Sequence, residues 1–124
     1  MKFTTGEIIS AGTGILCCKI SDLYRIMNYL TGDDLYTHQL PRAFKTCEAW
    51  VRTQHPWLND LNTDACTPNT WAAWLLEAIN KYGEVFDLLP LPAGQWKSRD
   101  PIKEALEMKK RVIKVKDAEK SRGF

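Results

Sequence analysis

The feature that most constrains the fold is a helical repeat of apolar side chains in segments that end at glycine or proline. Leu23, Ile26, Met27 and Leu30 follow the i, i+3, i+4, i+7 spacing that places them on one face of a helix. Gly32 comes directly after them, and glycine is common just past a helix because it adopts positive φ without steric cost. The spacing therefore predicts an amphipathic helix that ends before this glycine.

A second helix is bounded by two prolines. Pro41 suits the first helical position, where its missing N–H would be unpaired in any case. Pro56 ends the helix, since the residue before a proline is pushed away from α geometry. The apolar stripe between them consists of Leu40, Phe44, Cys47 and Val51, with Trp50 beside it. We expect this stripe, including Trp50, to lie in the core.

A third helix is predicted to begin at Thr67 and Pro68, with the threonine hydroxyl as its cap. Gly83 ends it. Its stripe consists of Trp71, Leu75, Ala78 and Tyr82, and Trp74 widens that face. Tryptophans at positions 50, 57, 71 and 74 would also suit a base-stacking platform or an interface. We expect Trp71, like Trp50, to be a core residue.

Shorter elements are predicted near the two ends. Residues 4–11 begin with hydroxyl side chains that can cap a short helix, which Gly12 and Gly14 then break. Residues 85–94 contain prolines among leucines and should be extended. Asp100 and Pro101 open a last helix, in which the stripe is Ile102, Ala105, Leu106 and Ile113 and in which Glu107 and Arg111 form an i, i+4 pair.

These patterns predict a mainly α fold, a compact bundle of four to five helices with an extended proline-rich segment before the last helix. A chain of 124 residues has the usual length of one domain. We assign residues 1–116 to a single helical domain and residues 117–124 to a polar C-terminal tail.

Charge is distributed unevenly along the chain. Residues 1–96 carry 7 basic and 10 acidic side chains, a net charge of −3, and residues 97–124 carry 10 basic and 5 acidic, a net charge of +5. Such asymmetry is typical of contacts with nucleic acid or acidic partners and also of solvated terminal helices. We find no apolar run near the ~20 residues that span a bilayer and no signal peptide. The protein is therefore expected to stay where it is made, without membrane contact.

Cysteine and histidine supply the candidates for metal binding or catalysis. Cys17, Cys18, Cys47 and Cys66 are interpreted as reduced thiols of an unsecreted chain, and their spacing contains no Cys-x-x-Cys zinc pair. Nothing in the sequence brings a thiol next to a histidine base. We therefore predict no metal and no cofactor, and find no catalytic constellation that would indicate an enzyme. A small enzyme whose site the sequence does not reveal is kept as a further alternative. The polar residues 37–39 are interpreted as a capping arrangement.

Several motifs resemble a family of small proteins from tailed bacteriophages and prophages. They are Phe3-Thr4-Thr5-Gly6-Glu7, Thr13-Gly14, Leu30-Thr31-Gly32-Asp33, Gln54-His55-Pro56-Trp57-Leu58, the Thr67-Pro68 helix with paired tryptophans, and above all Leu35-Tyr36-Thr37-His38-Gln39-Leu40-Pro41-Arg42-Ala43. The resemblance covers about residues 3–92 and implies no catalytic residue. It implies a phage-encoded accessory protein in the bacterial host cytoplasm, where such proteins act on host machinery, for example as anti-CRISPR inhibitors of host defence.

Our leading hypothesis is therefore stoichiometric binding to a host or phage protein. Unusual polarity before the second helix selects the candidate contact residues, Tyr36, Thr37, His38, Gln39 and Arg42. The alternative is nucleic-acid binding by the basic side chains of the last helix, Lys103, Lys109, Lys110, Arg111, Lys114 and Lys116. An exposed tryptophan patch would also suit a homo-oligomer interface.

Overall fold

Within residues 1–109, which the computed structural model describes, the chain is mainly helical, as the sequence predicts. The elements in chain order are β1 (Lys2–Thr4), α1 (Thr5–Thr13), α2 (Ile20–Thr31), α3 (Leu40–Gln54), α4 (Trp71–Tyr82), β2 (Val85–Asp87) and a helix α5 over residues 101–109. Short 3₁₀ turns occupy Thr37–Gln39, Pro56–Asp60 and Thr63–Ala65. The predicted end of the domain at residue 116 and the tail at 117–124 lie outside the described residues.

The helix α1 lies at the centre of the molecule, with every residue from Thr5 to Gly12 buried. It begins at a capping box, in which Thr4 Oγ1 accepts from the Glu7 amide and Glu7 Oε1 accepts from the Thr4 amide. The expectation that Gly12 breaks this helix is wrong. A Cβ at position 12 would lie 2.6 Å from Leu58 Cδ1, so the glycine allows close packing inside the helix.

The helices α2 and α3 confirm the periodicity arguments. Leu23, Ile26, Met27 and Leu30 of α2 are buried, and Gly32 follows with a φ of 69°. The buried residues of α3 are Leu40, Ala43, Cys47 and Val51, whereas Phe44 and Trp50 are partly buried against them. These two helices and α1 supply most of the core.

The third predicted helix begins later than expected, at Trp71 instead of Thr67. Thr70 Oγ1 accepts from the Thr67 amide and donates to the Ala65 carbonyl, so these hydroxyls close a turn ahead of the helix. Ala78 alone in α4 is fully buried. Trp71 is 47% exposed, and the expectation that it is a core residue is wrong.

A small antiparallel sheet joins the start of the chain to the segment that follows α4. Phe3 of β1 pairs with Phe86 of β2, and Phe3 is buried. The sequence predicts the extended segment that contains β2 but not the sheet, because strands of three residues carry no recognisable alternation. None of the helices within residues 1–109 is long and apolar enough to cross a membrane.

Candidate functional site

A buried carboxylate attaches α5 to the rest of the molecule. Glu104 is 7% exposed, and both of its oxygens accept hydrogen bonds from other elements. Arg42 Nε donates to Oε1 at 2.8 Å, while Arg42 Nη2 and Gln39 Nε2 donate to Oε2 at 3.2 and 2.9 Å. A carboxylate removed from water is stable only when such partners replace its hydration. We refer to Gln39, Arg42 and Glu104 as the α5 anchor.

Arg42 also connects the anchor to the segment before α5. Its Cζ lies 4.0 Å from the centre of the Trp96 ring, and its Nη1 donates to the Lys97 carbonyl oxygen at 2.8 Å. Trp96 Nε1 donates to Asp33 Oδ2 at 3.0 Å. One guanidinium thus combines a cation–π contact with charge-assisted hydrogen bonds. These contacts fix the approach to α5 as well as the helix itself.

The same contacts lower the pKa of two carboxyl groups. Hydrogen bonds from Arg42 hold the pKa of Glu104 below its usual value, and the hydrogen bond from Trp96 lowers the pKa of Asp33. Desolvation raises the pKa of each group but is the smaller effect. Both groups are therefore ionised at neutral pH, the state in which they accept these hydrogen bonds.

His38 and Tyr36 lie at the start of α5. His38 Nε2 and the Pro101 carbonyl oxygen are 2.9 Å apart, and because a carbonyl only accepts, the histidine nitrogen donates. The rings of Tyr36 and His38 are stacked, with centroids 6.0 Å apart and planes 7° apart. Tyr36 is 58% exposed, so it presents an aromatic ring to solvent beside α5.

An ordinary amphipathic helix buries its apolar stripe and exposes its charged residues. The helix α5 has the reverse orientation. Its buried residue is Glu104, whereas Ile102 is 72% exposed and Leu106 is 53% exposed. These two side chains share one face of the helix, as their spacing predicts, and that face is exposed. They line a groove of about 430 Å³ whose other wall includes Tyr36. We call Tyr36, Ile102 and Leu106 the α5 face.

Four of the five predicted contact residues lie beside α5, in two different roles, and the fifth, Thr37, contacts Tyr24 of α2. Tyr36 and Thr37 are exposed, and Thr37 Oγ1 lies 2.5 Å from Tyr24 Oη. Gln39 is buried and accepts from the Tyr36 amide, as the capping interpretation predicts. Gln39 and Arg42 belong to the anchor, so within the described chain they position α5.

Two of the six predicted nucleic-acid contacts, Lys103 and Lys109, lie on α5 and are exposed. Lys110, Arg111, Lys114 and Lys116 lie outside the described residues, as do Ile113 and the predicted Glu107–Arg111 pair. Lys109 lines the same groove as Ile102 and Leu106. Positive charge and exposed apolar surface therefore meet at one site.

Sequence reasoning did not find Glu104 as the residue that holds α5. Its only local signal is position, because Glu104 falls between Ile102 and Leu106 along the chain and so on a different side of the helix. Its partner Arg42 is 62 residues away. A contact between such distant residues leaves no pattern in one sequence.

The cysteines are all free thiols, with Cys17 and Cys47 buried. Burial raises the pKa of Cys17 and of Cys47 to about 12 and also raises the pKa of Cys18. These shifts oppose formation of the nucleophilic thiolate. Across residues 1–109, no three or more His, Cys, Asp or Glu side chains form a group that could hold a metal ion.

A protein-family model matches the first part of the chain, and the match includes only those residues of this site that precede α4. No curated protein and no solved structure matches the chain. The matched segment runs from β1 through the residues that follow α3, so it includes Tyr36, Gln39 and Arg42 but not α4 or α5. Residues 3–61, slightly less than half of the chain, are similar to the family described as "Domain of unknown function (DUF7736)".

Proposed function

We propose that this protein acts by stoichiometric binding to another protein through the α5 face. The observation that carries the proposal is the orientation of α5, which buries Glu104 and leaves Ile102 and Leu106 exposed. Exposed apolar side chains grouped in a groove are typical of interaction sites. Isolated exposed leucines are common on protein surfaces, but an outward-turned helix face is not.

The anchor prepares this face for binding. Two hydrogen bonds from Arg42 and one from Gln39 fix the rotation of α5, so Ile102 and Leu106 are held outward before a partner arrives. A surface that is already ordered loses less conformational entropy on association. The buried ion pair therefore contributes to partner affinity without contacting the partner.

Charge narrows the class of partner. Lys103 and Lys109 are exposed near the α5 face, with Glu107 as the exposed acid of the same helix. An acidic amphipathic segment would place its apolar residues in the groove and its carboxylates near these lysines. We propose such a segment, on a host or phage protein, as the binding partner.

The resemblance at residues 35–43 supports a phage setting for this activity. In that setting the protein would be an accessory protein of the bacterial host cytoplasm. An inhibitor of host defence, such as an anti-CRISPR protein, is the specific role that we propose. Such inhibitors work through surfaces, which agrees with a preformed apolar face.

Nucleic-acid binding by α5 is the second candidate, because Lys103 and Lys109 are exposed and the sequence of residues 97–124 has a net charge of +5. Phosphate contacts need cations but do not need Ile102 and Leu106 exposed. A protein partner therefore explains both the exposed lysines and the exposed apolar residues, whereas nucleic acid explains only the lysines. Nucleic-acid binding predicts an affinity that falls steeply with salt concentration.

Pull-downs from host lysate, with and without nuclease and with four versions of the protein, test the proposal. The versions are wild type, Leu106→Glu, Lys103→Ala with Lys109→Ala, and Leu89→Glu as a control, since Leu89 is 63% exposed but away from α5. We expect one protein to be retained stoichiometrically by wild type and the control, and lost with Leu106→Glu. A photo-crosslinker at Lys103 should then join an acidic segment of that protein.

Two results would overturn this function. Retention of the partner by Leu106→Glu would exclude the α5 face as the contact. The nucleic-acid alternative would be favoured if nuclease removed everything that wild type retains. In that case the variant with Lys103→Ala and Lys109→Ala should retain nothing even without nuclease. Circular dichroism of each variant checks that the fold is intact.

A further inference from the structure

A second apolar groove lies on α4, away from the α5 anchor. It has a volume of about 800 Å³ and is formed by α4, the connection between α1 and α2, and the start of β2. Four exposed apolar residues line it: Leu16 is 53% exposed, Trp71 47%, Leu76 57% and Val85 54%. We call it the α4 groove.

The α4 groove is built from a helix with more apolar surface than the described core covers. Trp71, Leu75, Leu76 and Ile79 all line it, although only Ala78 of α4 is fully buried. A helix in this position normally buries its apolar stripe against a neighbouring element. Within residues 1–109 no element covers this one.

The α5 face carries apolar side chains that an apolar groove can accept. Ile102 and Leu106 are one helical turn apart, so they project as a row of two apolar side chains about 6 Å apart. A helix that lays such a row into an apolar groove is a common mode of protein recognition. Ile102 and Leu106 are the most exposed apolar residues of the described part of α5, so they are available to enter such a groove.

Charge favours the same pairing. The acidic residues that line the α4 groove are Asp22 and Glu84, with Lys19 as the one lining cation. The described part of α5 presents Lys103 and Lys109, with Glu107 as its one exposed acid, so its exposed charge is net positive. The sequence repeats this contrast, since residues 1–96 have a net charge of −3 and residues 97–124 a net charge of +5. Opposite charge on the two surfaces steers and orients their association.

We propose that α5 of one copy of this chain binds in the α4 groove of a second copy, head to tail. Ile102 and Leu106 enter the groove against Trp71 and Leu76, with Lys103 and Lys109 at its acidic border. Because the two surfaces differ, every pair of copies keeps one free groove and one free α5 face. Association can therefore continue beyond a dimer as the concentration rises.

This inference does not require a host or phage partner, although it uses the same α5 face as the proposed function. Self-association would cover Ile102 and Leu106 and so compete with another protein for them. Leu76 lies in the α4 groove and not on the α5 face, so a variant at Leu76 separates the two activities.

Sedimentation velocity over a range of concentrations, on the purified full-length chain, tests the proposal. The groove variant is Leu76→Glu, the α5 variant is Leu106→Glu, and the control is Ala73→Glu, which adds the same charge to an exposed position of α4 that does not line the groove. We expect the mass of wild type and control to rise with concentration, and each of the other two variants alone to stay monomeric.

Mixing gives the decisive result. Leu106→Glu keeps an intact groove and Leu76→Glu keeps an intact α5, so an equimolar mixture should form a one-to-one dimer and stop there. A mixture that stays monomeric would overturn the head-to-tail arrangement, as would a Leu106→Glu variant that associates like wild type. A wild-type mass independent of concentration would overturn self-association itself, including any case in which the groove is filled from within the same chain.

The two proposals fail separately. If Leu76→Glu still captures a host or phage protein while wild type never self-associates, the proposed function stands and this inference falls. If the mixture forms its dimer and no nuclease-resistant partner is captured, the reverse holds. Circular dichroism and thermal unfolding should show all three variants folded, since each change is on the surface.

Discussion

The helices α1 and α5 differ in how much apolar surface holds them to the molecule. In α1 the apolar side chains Ile8 and Ile9 face the interior and are fully buried, and its capping box fixes where it starts. In α5 the residue that faces inward is Glu104, and the apolar residues Ile102 and Leu106 face solvent. The first helix is held mainly by loss of apolar surface from water, to which the ion pair of buried Glu7 with Arg25 is added. In the second helix the ion pair of Glu104 with Arg42 is the main attachment, because its apolar residues stay exposed.

This difference separates folding from binding within one small chain. Burial of apolar surface is the main favourable term in folding, so the interior needs α1 as it is. A buried ion pair adds little net stability because desolvation offsets most of its attraction, but it fixes geometry. An anchor of this kind orients α5 while leaving its apolar residues free for another molecule.

The largest effect should follow a cavity in α1. Ile9→Ala removes a fully buried side chain, and we expect a loss of about 2–5 kcal/mol in the free energy of unfolding. Urea denaturation followed by circular dichroism measures it. A loss below about 1 kcal/mol, the usual value for an ordinary substitution, would show that α1 is not the centre of the core.

A smaller and more local effect should follow damage to the anchor. Glu104→Gln removes the negative charge that Arg42 pairs with at 2.8 Å, and we expect α5 to lose about 1–3 kcal/mol of attachment. Hydrogen exchange should show faster amide exchange in residues 101–109 and little change in α1. The matched control is Glu107→Gln, an exposed change of the same kind on the same helix. Equal effects of the two variants would contradict the role of the anchor.

Acid should loosen the attachment of α5. The hydrogen bonds from Arg42 lower the folded-state pKa of Glu104 below its usual value of 4.5. A carboxyl with a depressed pKa stabilises the folded arrangement above its unfolded pKa, and this contribution is lost as the pH falls through the folded value. Amide exchange in residues 101–109 should therefore accelerate as the pH falls below about 4.5.

The Glu104→Gln variant serves as the control for this pH dependence. It cannot gain a proton at position 104, so much of the acid-dependent acceleration should be absent. Asp33, whose pKa the Trp96 hydrogen bond lowers, leaves a remainder of the same sign. An unchanged pH profile in the variant would show that Glu104 is not the group that titrates.

The sequence allowed α2 and α3 to be predicted because each carries its own local information. The stripe of Leu23, Ile26, Met27 and Leu30 identifies both the helix and its buried face, and Gly32 marks its end. In α1, by contrast, almost every residue is buried, so no polar face contrasts with an apolar one. The prediction that Gly12 breaks α1 is wrong for a related reason. This glycine is needed for close packing against Leu58, which is distant in the sequence.

The candidate site could be predicted only in part, for a physical reason. Periodicity shows that Ile102 and Leu106 share a face of α5, but not whether the chain provides anything to cover that face. The direction of α5 depends on the contact of Glu104 with Arg42, which joins residues far apart in sequence. The same limit applies to Trp71 in α4. Its spacing correctly predicts a helix, but the prediction that it is buried is wrong.

The smallest effect on stability should come from an isoleucine-to-alanine change at an exposed position of α5. Ile102→Ala makes the same chemical change as Ile9→Ala, but at a side chain that is 72% exposed. We expect the free energy of unfolding to change by no more than about 0.5 kcal/mol, and alanine even favours the helix. Self-association measured by sedimentation should nevertheless weaken, since the change removes half of the apolar row. A large loss of stability would mean that Ile102 contributes to the fold and is not free for binding, and the contrast between α1 and α5 would then disappear.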